Sequence, residues 1–217
     1  MRYVYLHGFA SGPQSRKAQF FREKLASIGI PLEIPALDQG DFEHLTISGQ
    51  LEFTTQLLAG EPAVLIGSSM GGYLAALYAS RHPEIDRMVL LAPAFGFGAR
   101  WAETFGADKV AEWRNLGHAE VYHYAARDMR RLSIDLFNDA PRHDGYPPCG
   151  QPTLIFHGVH DNVVPLAASQ TWVKANPTAQ LIPMESGHDL LDVLEPIGEA
   201  TARFLRTTSR LADTLGE

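Results

Sequence analysis

The stretch "AVLIGSSMGGYLAALYASR", residues 63–81, decides the fold. It opens on a short, continuously apolar run, "AVLI". That pattern suits a strand buried on both faces of a parallel sheet. From Met70 onward it reads as a helix. Between the two, Gly67-Ser68-Ser69-Met70-Gly71 matches G-x-S-x-G, with Ser69 at the centre and Ser68 as an x. A serine on a sharp strand-to-helix turn is held in strained backbone geometry with its hydroxyl exposed. The flanking glycines leave room for the close approach of strand and helix. The helix N-terminus then points N–H groups and its positive dipole end at a developing oxyanion. The pattern alone leaves a plain turn serine equally open.

Working outward, similar apolar runs recur at 2–6, 32–37, 87–92, 153–158 and 179–183, with helix-length segments between most of them. The helix candidates are Ser15–Ile28, Phe42–Leu58, Ser69–Arg81, Leu166–Ala175 and Leu190–Leu215. The last places Ile197, Thr201, Phe204, Thr208, Leu211 and Leu215 at helical spacing. Strands alternating with helices predict an α/β fold of βαβ units, with a mostly parallel sheet of about six strands flanked by helices. The run at 32–37 carries Pro35 and follows Pro31, which places it at the sheet edge.

About 55 residues, Pro93 to Pro147, lie between two of these strands, where one helix and two loops would suffice. This segment is rich in aromatics and has helix-like pieces around Arg100–Leu116 and Tyr124–Phe137. We read 94–147 as a helical cap inserted into a single domain spanning 1–217.

The totals are those of an ordinary globular protein: 217 residues, 45% hydrophobic and 20% charged. A net charge of −7 without a basic cluster argues against a nucleic-acid surface. No apolar run reaches the length of a membrane span or a signal peptide, so a cytoplasmic enzyme is expected. The single cysteine, Cys149, excludes an internal disulfide and is read as incidental. No nucleotide motif competes, because "GSSMGG" lacks the lysine of a phosphate loop. No cofactor is expected.

A serine hydroxyl needs a base to take its proton, and the base needs a carboxylate to set its tautomer. Of nine histidines, His188 in "MESGHDLLD" lies in a loop after the last strand. Loops at the C-terminal ends of parallel strands are where chemistry gathers. Asp161 in "TLIFHGVHDNVVP" follows another strand on the same edge, whereas Asp189 is better read as a helix N-cap. The order Ser69, Asp161, His188 is the one expected of α/β hydrolases. His157, His160 and Asp161 also spell H-x-x-H-D, but a strand leaving for a loop does not aim two imidazoles together, so no metal is expected. For the oxyanion, the N–H of Phe9, in the loop "LHGFASG", joins that of Met70.

Through "LHGF", "GSSMGGYLA", "HGVHDNVVP" and "SGHDL" the sequence resembles the α/β-hydrolase superfamily from end to end. It is most similar to small bacterial esterases of the YqiA type. The resemblance implies hydrolysis of acyl esters with Ser69, Asp161 and His188 as catalytic residues. The expected substrate is a small-molecule ester or thioester with an apolar acyl group. The same triad could serve a C–C hydrolase, a lyase or a perhydrolase, and a non-catalytic receptor could retain it. Oligomeric state is left open.

Overall fold

The computed structural model describes residues 1–206, with the side chains of all but 101–104. Along the chain run β1 (Arg2–Leu6), α1 (Arg16–Ala26), α2 (Ile47–Leu58), β2 (Ala63–Ser68), α3 (Met70–Ala79) and β3 (Ile85–Leu91). There follow α4 (Phe97–Phe105), α5 (Ala107–Leu116), β4 (His118–His123), β5 (Asp128–Ser133) and α6 (Asp135–Asp139). The last group is β6 (Thr153–Gly158), α7 (Leu166–Ala175), β7 (Ala179–Met184) and α8 (Leu194–Leu205).

Five strands form one parallel sheet in the order β1-β2-β3-β6-β7. Every residue of β2, β3 and β6 is buried, as continuously apolar strands require when helices cover both faces. Successive side chains alternate between two cores. Tyr5, Ile66, Val89 and Phe156 meet Phe21 and Leu25 of α1 and Ile197 of α8. Leu6, Leu65, Leu90 and Ile155 meet α2, α3 and α7 on the other face, with Ile47, Leu74 and Trp172 among the partners. Each such apolar side chain contributes roughly 1.5–3 kcal/mol on burial.

The sheet has five strands where about six were expected. The segment 32–37 does run beside β1 at the sheet edge, yet it makes only one parallel bridge, Val4 with Glu33. Glu33 N–H donates to Tyr3 O at 2.9 Å and its carbonyl accepts from Tyr5 N–H at 2.8 Å. Pro31 and Pro35 bring no N–H, so the ladder stops there. At the C-terminus, α8 is shorter than the expected 190–215 helix, and Thr208, Leu211 and Leu215 lie outside the described residues. α2 starts at Ile47 instead of Phe42 because Thr46 caps it, its hydroxyl accepting from Gly49 N–H at 2.9 Å.

The segment between β3 and β6 departs further. α4 and α5 occupy the first expected helix. The second, expected over Tyr124–Phe137, is instead strand β5 paired antiparallel with β4, followed by the short α6. The stretch "AARDMRRL" holds good helix formers, so local propensity misleads here. Arg127, at φ 59°, closes a hairpin turn, and Leu132 is carried into the core beside Ala119 and Val121. Tertiary burial outweighs a propensity difference of a few tenths of a kcal/mol per residue. The C-terminal part of the segment is pinned twice. Ser48 donates its N–H and hydroxyl to the Asp139 carboxylate, each at 2.7 Å. Tyr73 hydroxyl donates to Asp144 O at 3.0 Å.

Where α3 meets β1, a Cβ on Gly71 would collide with the backbone carbonyls of Leu6 and His7. Backbone cannot yield as a flexible side chain does. Gly71→Ala is therefore expected to cost about 3 kcal/mol. Thermal denaturation should read this as a fall in Tm of roughly 6–12 °C.

Candidate active site

Ser69 sits between the last residue of β2 and the first of α3, at φ 54° and ψ −118°. A non-glycine residue there stores about 1–3 kcal/mol of strain. The surroundings enforce it. Ser69 N–H donates to Leu91 O at 2.8 Å, and Ser69 O accepts from Gly72, Tyr73 and Ala94 N–H at 3.0–3.1 Å. The neighbouring Ser68 is turned inward and buried. The two adjacent serines thus have separate roles in space.

The loops after β6 and β7 come together over this turn. They can do so because Gly158 has no side chain, since a Cβ there would strike the carbonyls of Ser186 and Gly187. His188 Nε2 lies 3.0 Å from Ser69 Oγ, and its Nδ1 lies 2.7 Å from Asp161 Oδ2. A carboxylate can only accept. Nδ1 therefore carries the proton, and Nε2 presents its lone pair to the serine hydroxyl. The Asp161 carboxylate is fully buried. Burial alone would push its pKa up. Hydrogen bonds from His157, His188 and Val164 N–H outweigh that and hold it well below the usual carboxylate range. The structure thus brings together Ser69, Asp161 and His188, which the sequence places behind three different strands.

The rivals lie elsewhere. Asp189 accepts from Leu191 N–H at 3.3 Å, at the turn before α8. Asp192 bonds the Ser186 hydroxyl. His160 is exposed and faces Glu185, while His157 is fully buried, so the two imidazoles of H-x-x-H-D diverge. Among the described residues, no group of three or more His, Cys, Asp or Glu could hold a metal ion.

The loop after β1 supplies the fourth side of the site. A Cβ on Gly8 would stand 3.4 Å from both Ser69 Cβ and Ser68 O, which puts the Gly8–Phe9 backbone against the serine turn. Met70, as the first residue of α3, has an N–H with no acceptor inside the helix. His7 braces this loop. Its Nδ1–H donates to Gly8 O at 3.0 Å, and its Nε2 accepts from Leu37 N–H at 3.2 Å. Burial holds its pKa down and so keeps the ring neutral. The hairpin tip reaches the same loop, with Tyr124 N–H donating to Ala10 O at 2.8 Å. Phe9 packs on Phe42 at 5.5 Å, and Phe42 meets His123 edge-on at 4.6 Å. On α1, burial presses the Lys17 ammonium down to about 8, opposed by the charges of Asp189 and Asp161.

One participant was misread in the sequence. His157 entered only as a doubtful metal ligand, whereas it touches the Asp161 carboxylate at 3.2 Å. The signal was a histidine inside "TLIFHG", a run otherwise fit for complete burial. A polar side chain in such a place must have a partner.

The family model described as "Uncharacterised protein family (UPF0227)" matches residues 2–205. The chain belongs to this family. It is 24% identical over 244 residues to the AB hydrolase superfamily protein YisY of Bacillus subtilis (strain 168), covering 93% of this chain and 90% of that one. Est1E from Butyrivibrio proteoclasticus, solved with ferulic acid bound, superposes with a TM-score of 0.79 at 22% identity, over 94% of this chain and 87% of that one. Alpha/beta hydrolase domain-containing protein 10 from mouse superposes with a TM-score of 0.78 at 18% identity, over 94% and 88%. Both structural likenesses concern the fold, which is that of the α/β hydrolases. No helix among the described residues is long and apolar enough to cross a membrane.

Cys149 donates its thiol to Ala76 O at 3.1 Å, and burial pushes its pKa up to about 12. At pH 8 the thiolate fraction is then about one in 10⁴, so iodoacetamide should leave the native protein unmodified over hours and modify it after unfolding. The strain at Ser69 is measurable too. Glycine relieves about 1–3 kcal/mol at that φ and costs roughly 0.5–1 kcal/mol of chain entropy. Ser69→Gly should therefore be more stable than Ser69→Ala by about 1 kcal/mol in urea denaturation.

Proposed function

We propose that this chain is a serine hydrolase that cleaves carboxylic esters or acyl thioesters through an acyl-serine intermediate. The observation that carries the reading is the unbroken contact from Ser69 Oγ through His188 to the buried Asp161 carboxylate. As substrate binds, His188 Nε2 takes the Ser69 proton while Oγ attacks the acyl carbonyl. The tetrahedral oxyanion is held by Met70 N–H at the start of α3 and by Phe9 N–H. His188 then gives its proton to the departing alkoxide or thiolate, and the acyl group stays on Ser69. A water molecule, deprotonated by His188, attacks the ester. Collapse of the second oxyanion releases the acid and returns the proton to Ser69. Asp161 steadies the imidazolium in both halves without itself taking the proton.

The segment 94–147 is read as a cap over this site. Phe9 and Phe42, packed against the hairpin side of that segment, support an apolar acyl group as substrate.

A fluorophosphonate probe should label the wild-type protein and fail on Ser69→Ala. Ester turnover across p-nitrophenyl and thioester chain lengths should disappear in Ser69→Ala. Asp161→Asn should lower it by roughly 10³–10⁴-fold, through loss of the His188 tautomer. Ser68→Ala should keep measurable turnover. An unlabelled, folded wild-type protein would reject the reading. Intact labelling with no turnover of any ester or thioester would move the reaction to another carbonyl chemistry of the same triad.

A further inference from the structure

Oδ1 of Asp161 accepts two backbone N–H groups, Val163 at 2.9 Å and Val164 at 2.7 Å. Oδ2 is approached by two imidazoles, His188 Nδ1 at 2.7 Å and His157 Nε2 at 3.2 Å. A carboxylate offers about four lone-pair positions; three accept hydrogen bonds here, and the fourth faces His157 Nε2. His157 Nε2 also faces Val164 O at 2.8 Å. Both of its neighbours are acceptors, so Nε2 must carry a proton. Nδ1 then accepts from the Ser169 hydroxyl on α7 at 2.8 Å. The result is one continuous chain from Ser169 through His157, Asp161 and His188 to Ser69.

We infer that His157 is a positioning residue for the reaction, sharing Asp161 Oδ2 with His188 and so setting both the orientation of the carboxylate and the hold it exerts on the His188 imidazole. This rests on the serine-hydrolase reading above. The strand supplies the reason. His157 is the penultimate residue of β6, fully buried and rigid, whereas Asp161 stands on a loop. The ring ties that loop to the sheet and to α7 at once. Without it, Oδ2 loses the contact on its far side and its hold rests on His188 alone. Oδ2 also becomes more basic and pulls harder on the His188 proton. The groups facing Asp161 are His157 from β6, His188 from the loop after β7 and Lys17 from α1. Of these, His157 is the one that reaches Oδ2 without being part of the proton path to Ser69.

The test is the second-order rate of fluorophosphonate labelling as a function of pH. His157→Met has similar length and no donor. It should label roughly 10- to 100-fold more slowly, and its acidic limb should move to higher pH by roughly half a unit or more. His157→Gln, whose amide can replace the Nε2–H donor, should recover most of the rate and the limb. Wild-type rate and profile in a folded His157→Met would overturn the inference. So would a slow His157→Met whose limb has not moved and which Gln does not rescue, the behaviour of a mere brace. Should both variants fail to fold, ¹⁵N-histidine spectra of the wild type decide. The expected result is His157 with its proton on Nε2, and an N–H resonance that moves when Ser69 is phosphonylated. A bare Nε2, or a resonance that does not move, would overturn it. Absence of wild-type labelling would instead reject the hydrolase reading itself.

Discussion

The whole arrangement hangs on a backbone contact in which side chains are absent. At the β2–α3 turn the chain reverses so tightly that Gly67 lies against the backbone of Gly71 and Gly72, and Gly71 against the end of β1. That closeness forces Ser69 into a positive φ and lifts its hydroxyl out of the sheet. It also brings the loop after β1 into contact with the serine turn. A single methyl group at Gly71 would disturb both.

Around that turn the site is built by loops that would be floppy if left to themselves. Each is fastened by polar groups in dry surroundings. His7 ties the loop after β1 to Leu37, and His157 ties the loop after β6 to α7. Buried polar groups are costly when unmatched, so each imidazole with both nitrogens engaged acts as a rigid pin. The hairpin β4–β5 adds a third fastening through Tyr124 and Ala10. The segment between β3 and β6 is thus joined by backbone to the loop that carries Phe9. The geometry at the serine and the placement of that segment are therefore not independent.

The strands and most helices were legible because burial leaves a strong imprint. Runs such as "AVLI" and "TLIF" have no polar side to show and belong between two helical layers. The two expected elements that failed did so for different reasons. The 32–37 strand was stopped by missing proline N–H groups, a local cause that the sequence displays. The 124–137 helix was lost to pairing with β4, and nothing within those residues announces a partner strand.

For the site, chain order and residue type were enough to nominate Ser69, Asp161 and His188, since each follows a strand of one parallel sheet and must emerge on one edge. The distances among them come from loop conformation. The same is true of the role of His157, because a histidine spaced four residues before an aspartate can face it or point away. Local pattern is written by covalent neighbours and by solvent, so it survives in the sequence. The meeting of Oδ2 with two imidazoles depends on contacts between residues 27 or more positions apart as well as on near neighbours. Such contacts exist once β6, β7 and α7 have packed.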